Sequence, residues 1–246
     1  MRNEIDIILP NFNSSEYVSE AIESIINQTF KKWKLIIVDD ASDKKTKKIL
    51  SKYKRNKKIK IFWLKKNRGA GFCRNYAINK SNSKYVAFID SDDIWARNKL
   101  ELQLRFMKKR KYSFTYTFYK TFGLKVAKIN SPLKFTFTKF IKNTSIATST
   151  MMILRKNIKK IIFANQGICE DYSFKCRLLQ KVNFAYCLNK YLTKYRIRKN
   201  SLQSSKIKNI YWIWKINSRL NKLTFFENIN SLICISINSL IKYGFK

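Results

Sequence analysis

The stretch Lys84 to Trp95, KYVAFIDSDDIW, decides how the rest of the chain is interpreted. Its run YVAFI is apolar on both faces, which is typical of a buried parallel strand, and ligands bind beyond the carboxyl ends of such strands. If the backbone stays extended, the carboxylates of Asp90 and Asp92 project to one side and repel each other. Paired oxygen ligands predict a Mg²⁺ or Mn²⁺ ion that would hold phosphates. The alternative is a polar loop that caps the next helix, with Asp93 as the expected capping residue.

Strand and helix patterns alternate four times in the first ninety residues. Short apolar runs predict strands, and apolar residues at helical spacing predict helices. The predicted strands cover residues 5–10, 34–38, 59–64 and 85–89, and the predicted helices cover residues 16–28, 44–53 and 69–80. This order predicts an α/β fold with a mostly parallel central sheet flanked by helices. Carboxylates follow two of the strands, at Asp39–Asp40 and at Asp90–Asp93, so we expect acidic side chains to meet at one edge of the sheet.

The composition is strongly basic. Among 246 residues, 45% are hydrophobic, and 52 Lys and Arg face 15 Asp and Glu for a net charge of +37. One interpretation is compositional bias, in which most Lys are solvated surface residues. The other is attraction to a polyanion, either an anionic membrane surface or a nucleic acid. Because the Lys are spread along the chain instead of clustered, the pattern favours a membrane surface and indicates no nucleic-acid partner.

The absence of histidine excludes several kinds of site. His general bases, His metal ligands and Ser-His or Cys-His pairs cannot occur, so proton transfer falls to Asp, Glu, Tyr, Cys or Lys. The five cysteines form no CxxC motif and are expected to be reduced thiols. Acidic residues interrupt the first apolar run, so no signal peptide is expected. No run reaches the roughly 18 apolar residues of a membrane span, so no transmembrane helix is expected. The expected location is cytoplasmic, either soluble or peripheral on the cytoplasmic face of the inner membrane.

Five short segments, in order, resemble family 2 of the inverting glycosyltransferases, which have the GT-A fold. They are LPNFN at 9–13, INQTF at 26–30, IVDDASD at 37–43, KNRG with CRN at 66–75, and FIDSDDIW at 88–95. The resemblance is close over residues 3–110 and weaker to about residue 200. It implies metal-dependent transfer of a sugar from a nucleotide-sugar donor, expected to be a UDP-sugar, with inversion at the anomeric carbon. The implied acceptor is a glycan or a polyprenyl-linked saccharide.

The resemblance also implies which residues bind the donor. Pro10, Asn13 and Asp40 would line the nucleoside pocket, where a carboxylate can accept hydrogen bonds from the base or the ribose. Arg74 would face the diphosphate, since a guanidinium fork suits phosphate oxygens. The alternative for Arg74 is a surface position on a helix.

The DXD segment supplies the remaining donor-site residues. Asp90 and Ser91 would contact the nucleotide sugar. Asp92 would be the more direct ligand of Mg²⁺ or Mn²⁺, with Asp90 as the second metal residue.

The second half of the chain carries the implied catalytic base. Glu170 and Asp171 match a Glu-Asp pair of the family, and inverting transfer needs a base for the acceptor hydroxyl. The resemblance assigns that role to Asp171 and a supporting role to Glu170, whereas the alternative is that both acids cap the following helix. Lys194 to Ser201 resembles a Tyr-Arg-x-His-x-x-Ser segment. Arg198 stands where His is common, so it could keep a positive charge in the site but could not ligate a metal.

The expected organisation is a GT-A domain over residues 1–205 and an amphipathic helical extension over residues 206–246. Within the domain, residues 1–110 form the nucleotide-sugar half and residues 111–205 the acceptor half, with strands expected at residues 112–119, 148–154 and 191–198. The extension mixes aromatic and Ile residues with Lys and Arg. It could pack on the domain or dock on an anionic leaflet.

Three other functions remain open from the residues alone. A haloacid dehalogenase-type phosphatase could use Asp90 and Asp92, but that motif expects Thr or Val where Ile94 stands. A basic nucleic-acid-binding protein would need a clustered basic face. A retaining transferase could use the same fold.

Overall fold

The computed structural model describes residues 3–164, 168–199 and 206–243. Within these residues, ten strands form one sheet. The strands are β1 (Ile5–Asn11), β2 (Trp33–Asp39), β3 (Ile59–Trp63), β4 (Tyr85–Phe88), β5 (Ile94–Trp95), β6 (Phe114–Gly123), β7 (Ala127–Ile129), β8 (Lys134–Phe135), β9 (Met152–Leu154) and β10 (Ala185–Ile197). The helices are α1 (Val18–Ile26), α2 (Lys44–Ser51), α3 (Ala70–Lys80), α4 (Lys99–Arg110), α5 (Phe137–Phe140), α6 (Glu170–Val182), α7 (Lys206–Arg219) and α8 (Phe225–Tyr243).

The sheet has the strand order β3-β2-β1-β4-β9-β6-β10-β5, with β7 paired to β6 and β8 to β10. β1 to β4 are parallel to one another, as the alternating patterns predict. β9 then runs antiparallel to both β4 and β6, whereas β6 and β10 are parallel. The α/β fold class is therefore confirmed, and the sheet is mixed beyond β4.

The core lies on both faces of the sheet because successive strand residues point to opposite sides. In β1, Ile5, Ile7 and Leu9 pack with the apolar stripes of α1 and α4, whereas Ile8 packs with α3 and α6 on the other face. β1 continues to Asn11, one residue beyond the predicted end at Pro10. Its pairing with β4 ends at Ile8, so the missing N–H of Pro10 costs no ladder bond on that side.

The C-terminal extension forms two helices, as expected. Ile213 and Ile216 of α7 are buried in the main core, so α7 packs on the sheet domain. The predicted domain boundary at residue 205 lies outside the described residues. Among the described helices, none combines the length and apolarity needed to cross a bilayer.

Candidate active site

The loops after β1 and β2 are joined at the carboxyl edge of the sheet. Asn13, with a φ of 44°, accepts a hydrogen bond on Oδ1 from the Asp43 amide at 2.8 Å. Asn11 Nδ2 donates to Asp39 Oδ1 at 2.7 Å, and Asp39 is fully buried. Pro10 is buried within β1, and Asn13 is exposed beyond its end. The nucleoside-binding roles of Pro10 and Asn13 remain predictions, and Asp39 has a structural role that the sequence patterns did not identify.

Asp40 anchors the loop that leads into α3. Its Oδ1 accepts from the Arg68 amide at 2.8 Å and its Oδ2 accepts from the Gly69 amide at 2.7 Å. Gly69 has a φ of 85°, a conformation that glycine adopts without a steric penalty. Each carboxylate oxygen keeps a second lone pair, so the predicted contact of Asp40 with the base or ribose stays a prediction.

The DXD segment is a turn and not an extended chain. The Asp93 amide donates to the Asp90 carbonyl at 3.1 Å, so the assumption that the backbone stays extended is wrong. Asp93 also does not cap the next helix, because α4 begins at Lys99 after Asn98. Its carboxylate instead accepts hydrogen bonds from Ser149 Oγ at 2.5 Å and from the Arg196 amide at 2.9 Å. Burial, with the nearby acids, raises the pKa of Asp93 well above its usual value.

Arg74 is buried between the two groups of acids, and not at the surface. Its Nη2 lies 2.6 Å from Asp90 Oδ1 and its Nη1 lies 3.0 Å from Glu170 Oε1. Burial alone would lower the pKa of Arg74, but the two carboxylates outweigh it and raise the pKa. Gly71, one turn earlier, permits this approach, since a Cβ there would lie 3.0 Å from Glu170 Cγ and 2.9 Å from the Ala164 carbonyl oxygen. The predicted diphosphate contact of Arg74 remains a prediction.

Two arginines from the end of β10 hold the DXD turn. Arg198 Nε lies 2.7 Å from Asp92 Oδ2, and Arg196 Nε donates to the Asp92 carbonyl at 2.9 Å. Burial and the charge of Asp90 raise the pKa of Asp92, and Arg198 opposes this rise. Arg198 therefore lies in the site, beside the carboxylate expected to bind the metal. Ser91 is half-buried on the same turn, and its contact with the donor remains a prediction.

The carboxylates of Asp90 and Asp92 fit a hard divalent cation. Mg²⁺ takes one or two carboxylates and completes its coordination with phosphate oxygens and water. No cluster of three or more His, Cys, Asp or Glu side chains is arranged as a metal site in the part of the chain that the structure describes.

Glu170 and Asp171 occupy the first turn of α6, where the helix dipole favours negative charge. Asp171 Oδ2 lies 2.7 Å from Lys175 Nζ and accepts from Thr148 Oγ1 at 3.3 Å. Burial would raise the pKa of Asp171, but Lys175 and Arg74 outweigh burial and lower it. Burial raises the pKa of Glu170 despite Arg74. The pKa values of these two adjacent acids are thus shifted in opposite directions, which is typical of sites where one group acts as an acid and another as a base.

Two contributors to this site were missed in the sequence analysis. Lys175 stands four residues after Asp171, so the helical spacing could have revealed it. Ser149 is different: its Oγ accepts from the Asp90 amide at 3.0 Å across 59 positions of sequence. Nothing local in the sequence marks Ser149 as a site residue.

Acidic side chains after parallel strands, with a buried arginine beside them, are typical of an α/β enzyme that binds its ligand at the carboxyl edge of the sheet. The sequence profile of glycosyl transferase family 2 matches residues 6–180. The chain belongs to this family and is a glycosyltransferase that acts on nucleotide-sugar donors. Membership of this family replaces the phosphatase and the nucleic-acid-binding protein as interpretations of the chain's function.

Relatives match most of the chain. It is 34% identical over 228 residues to TuaG of Bacillus subtilis, provisionally named a glycosyltransferase of teichuronic acid biosynthesis, and the match covers 91% of this chain and 90% of TuaG. It is 31% identical over 215 residues to WfgD of Escherichia coli, in a match that covers 86% of this chain and 84% of WfgD. WfgD is named a UDP-Glc:alpha-D-GlcNAc-diphosphoundecaprenol beta-1,3-glucosyltransferase.

Solved structures share the fold. The S. aureus protein TarS, residues 1–349 in complex with UDP-GlcNAc, superposes with a TM-score of 0.76 at 20% identity, covering 97% of this chain and 73% of that one. The mannosyltransferase PcManGT from Pyrobaculum calidifontis, in complex with GDP-Man and Mn²⁺, gives a TM-score of 0.72 at 13% identity, covering 95% of this chain and 70% of that one. These likenesses confirm the GT-A fold.

Proposed function

We propose that the protein transfers a sugar from a UDP-sugar to a saccharide hydroxyl with inversion at the anomeric carbon. Asp90 and Asp92 would hold Mg²⁺ or Mn²⁺, and Asp171 would be the general base. The observation that carries this proposal is the position of Arg74, which contacts Asp90 at 2.6 Å and Glu170 at 3.0 Å. One donor-side carboxylate and one acid of α6 therefore contact the same guanidinium.

The transfer is a single displacement in which the acceptor oxygen bonds to the anomeric carbon as its bond to the diphosphate breaks. Asp171 takes the proton of the attacking hydroxyl, because a carboxylate at the start of α6 is ionised at neutral pH and can accept it. Arg74 and Arg198 direct positive charge toward the departing nucleoside diphosphate. A bound metal ion would supply Lewis-acid stabilisation of the charge on that leaving group.

We further propose that the acceptor is a saccharide carried on a polyprenyl diphosphate. Support comes from WfgD, whose name specifies a diphosphoundecaprenol-linked acceptor, and from the provisional link of TuaG to teichuronic acid. Such an acceptor would bring a cytoplasmic enzyme to the cytoplasmic face of the membrane. The sugar that is transferred would be set by the side chains at the carboxyl edge of the sheet.

A transfer assay tests this function. The protein would be incubated with α-configured UDP-sugars and a GlcNAc-diphosphate-lipid acceptor, in Mn²⁺ or in EDTA, and products followed by mass spectrometry and proton NMR. We expect a β-linked product in Mn²⁺. We expect at least a roughly hundredfold lower rate in EDTA and in Asp92→Ala, since each removes the charge that stabilises the leaving diphosphate.

The matched control is Glu101→Ala, which removes an exposed carboxylate outside the DXD turn. It should transfer at the wild-type rate. An α-linked product would contradict inversion, and equal rates in Mn²⁺ and EDTA would contradict metal dependence. No transfer to the lipid-linked acceptor, with transfer to another saccharide, would overturn the acceptor proposal alone.

A further inference from the structure

The face of the last helix, α8, that lies against the protein is mixed: it carries Asn228, Ser231 and Asn238 beside Leu232 and Ile235, which pack on the core. Asn228 and Ser231 are fully buried, and both contact Asn217 of α7, whose Nδ2 donates to Asn228 Oδ1 at 3.1 Å and to Ser231 Oγ at 3.0 Å. Further along the helix, Asn238 Nδ2 donates to the Lys142 carbonyl at 3.0 Å. The hydrogen-bonding side of α8 is thus occupied by the protein itself.

The opposite side of α8 is an apolar row that faces outward. The exposed fractions are 81% for Phe226, 36% for Ile229, 54% for Ile233, 51% for Ile237 and 77% for Ile241. Their spacing of three or four residues places them on one face. At about 1.5 Å per residue, the row is roughly 22 Å long. A helix on a water-soluble surface normally exposes polar residues, so this outward apolar row is suited to an apolar phase.

The distribution of charge decides between a second copy of the chain and a lipid surface. Eight of the 15 acidic residues are buried or belong to the active-site ion pairs, namely Asp6, Asp39, Asp40, Asp90, Asp92, Asp93, Glu170 and Asp171. Seven acidic residues remain to balance the positive charge of the surface. Among the described residues, Arg74, Lys99 and Lys175 are the buried basic side chains, out of 52 in the chain. Two such surfaces repel each other, whereas an anionic leaflet attracts one.

Aromatic rings lie at the start of the apolar row, and a lysine packs on a ring of the neighbouring helix α7. The ring of Trp214 is 5.7 Å from that of Phe225, which is 5.8 Å from that of Phe226. On α7, Lys215 Nζ lies 4.8 Å from the ring centroid of Trp212. Aromatic and basic side chains in combination suit the boundary between lipid headgroups and acyl chains.

We propose that α8 docks flat on an anionic lipid leaflet through its outward row of Phe226, Ile229, Ile233, Ile237 and Ile241. This inference goes beyond the proposed function, because lipid binding requires neither donor nor acceptor. It also narrows the expectation for residues 206–246: α7 packs on the core, and α8 provides the lipid contact.

Docking through α8 holds the active site near the lipid. Asn217, which binds the inner side of α8, also accepts a hydrogen bond from the hydroxyl of Tyr172 at 2.7 Å. Tyr172 directly follows Asp171 on α6. The lipid-binding helix is therefore connected, through one asparagine, to the helix that carries the proposed base.

Vesicle sedimentation tests this proposal with the full chain. The lipids would be phosphatidylcholine alone, or phosphatidylcholine with about a third phosphatidylglycerol, at physiological salt. We expect wild type to bind the anionic vesicles. We expect the double variant Ile233→Ser/Ile237→Ser to lose at least about tenfold in partitioning, since two exposed apolar side chains are removed from the proposed lipid contact. Ile162→Ser, at a position 56% exposed away from α8, is the matched control and should bind like wild type.

Two further measurements keep the result interpretable. The melting temperature of the double variant should equal that of wild type, and its transfer to a water-soluble acceptor should be unchanged, since the altered residues lie outside the active site. Unchanged vesicle binding by the double variant, or equal binding of wild type to neutral vesicles, would overturn the proposal. A wild-type dimer that the double variant dissolves would instead identify a second copy as the occupant.

Discussion

Arg74 is the buried cation that links the DXD turn to the start of α6. With a side-chain exposure of 6% and contacts to Asp90 and Glu170, it compensates two carboxylates that would otherwise repel the donor diphosphate. Removing one partner of such a buried pair leaves an uncompensated charge, which costs several kcal/mol. The side chains of this site are therefore connected. Each single substitution needs a control substitution at a residue of the same chemistry.

Asp171 should behave as the general base. Asp171→Asn keeps the size of the side chain but removes its proton-accepting charge, so kcat should fall by roughly 10²–10⁴-fold while UDP binding survives. Glu170→Gln is the matched control and should cost less if Glu170 only orients Arg74. Both kcat and melting temperature must be measured on the same samples, because the Asp171→Asn change would also leave the buried Lys175 without its ion pair.

The pH dependence distinguishes these two acids. The pKa of Asp171 is lowered and that of Glu170 is raised, so a base at Asp171 stays ionised to a lower pH. With metal and donor saturating, the acid limb of the kcat profile should therefore lie at a lower pH if Asp171 is the base than if Glu170 is the base. A near-normal kcat in Asp171→Asn with a lowered melting temperature would assign that residue a structural role only.

Lys99 should make stability depend on pH. It is fully buried, donates from Nζ to Gln103 Oε1 at 2.8 Å, and lies 4.1 Å from the ring centroid of Trp95. Burial lowers the pKa of Lys99 to about 7, against about 10.4 in the unfolded chain. Between these values the unfolded state binds more protons, so stability rises with pH, by about 2 kcal/mol from pH 7 to pH 9.

Lys99→Met should remove this rise and increase stability at pH 7, as measured by urea unfolding at pH 7, 8 and 9. The exposed Lys109→Met on the same helix serves as the control and should keep the wild-type profile. Identical slopes for wild type and Lys99→Met would show that Lys99 is not the titrating group.

Among the larger elements, the short 3₁₀ turn at Thr148–Thr150 connects both halves of the site. Thr148 donates to Asp171, and Ser149 contacts both the Asp90 amide and the Asp93 carboxylate. One turn thus positions the DXD segment and the proposed base relative to each other. Its contribution is positional, since it supplies hydrogen bonds to residues that are themselves expected to contact substrate.

Ser149→Ala should loosen this connection. It leaves the buried Asp93 carboxylate one donor short, so we expect a loss of about 1–3 kcal/mol in stability and a weaker affinity for UDP with Mn²⁺. Thr150→Val is the control, because Thr150 bonds the Ala147 carbonyl of its own turn. Calorimetric titration and urea unfolding would be run on both, and an equal loss of UDP affinity in the two variants would argue against a specific role of Ser149.

The elements differ in how far the sequence could predict them. β1 to β4 and α1 to α3 follow the predicted positions within a few residues, because each carries a complete apolar pattern of its own. β5 and β8 have two residues each, too few for any periodicity, and they exist because β10 pairs with them. The shape of the turn at Asp90–Asp93 could not be predicted for a related reason, since it depends on bonds from Ser149 and β10.

Across the whole molecule, the composition left open whether the basic excess is compositional bias or attracts a polyanion, and the structure shows where the charges lie. Most acids that are not at the surface line the carboxyl edge of the sheet, so the basic excess belongs to the exterior. The outward apolar face of α8 was less predictable. Its alternating Ile, Asn and Ser residues indicate an amphipathic helix, but the pattern alone does not say which side faces the protein.

The position of β10 in the sheet has a consequence for how the protein is made. Thr193 and Lys194 pair with Trp95 and Ile94, and β10 also covers the edge of β6. About 100 residues separate the acidic turn from the part of β10 that pairs beside it. A ribosome adds about 5–20 residues per second, so this part of β10 is synthesised roughly 5–20 s after the turn. During that interval the growing chain presents an open strand edge, which can pair with other chains. Each newly made molecule thus passes through a period in which it depends on the cell to keep it apart from its neighbours.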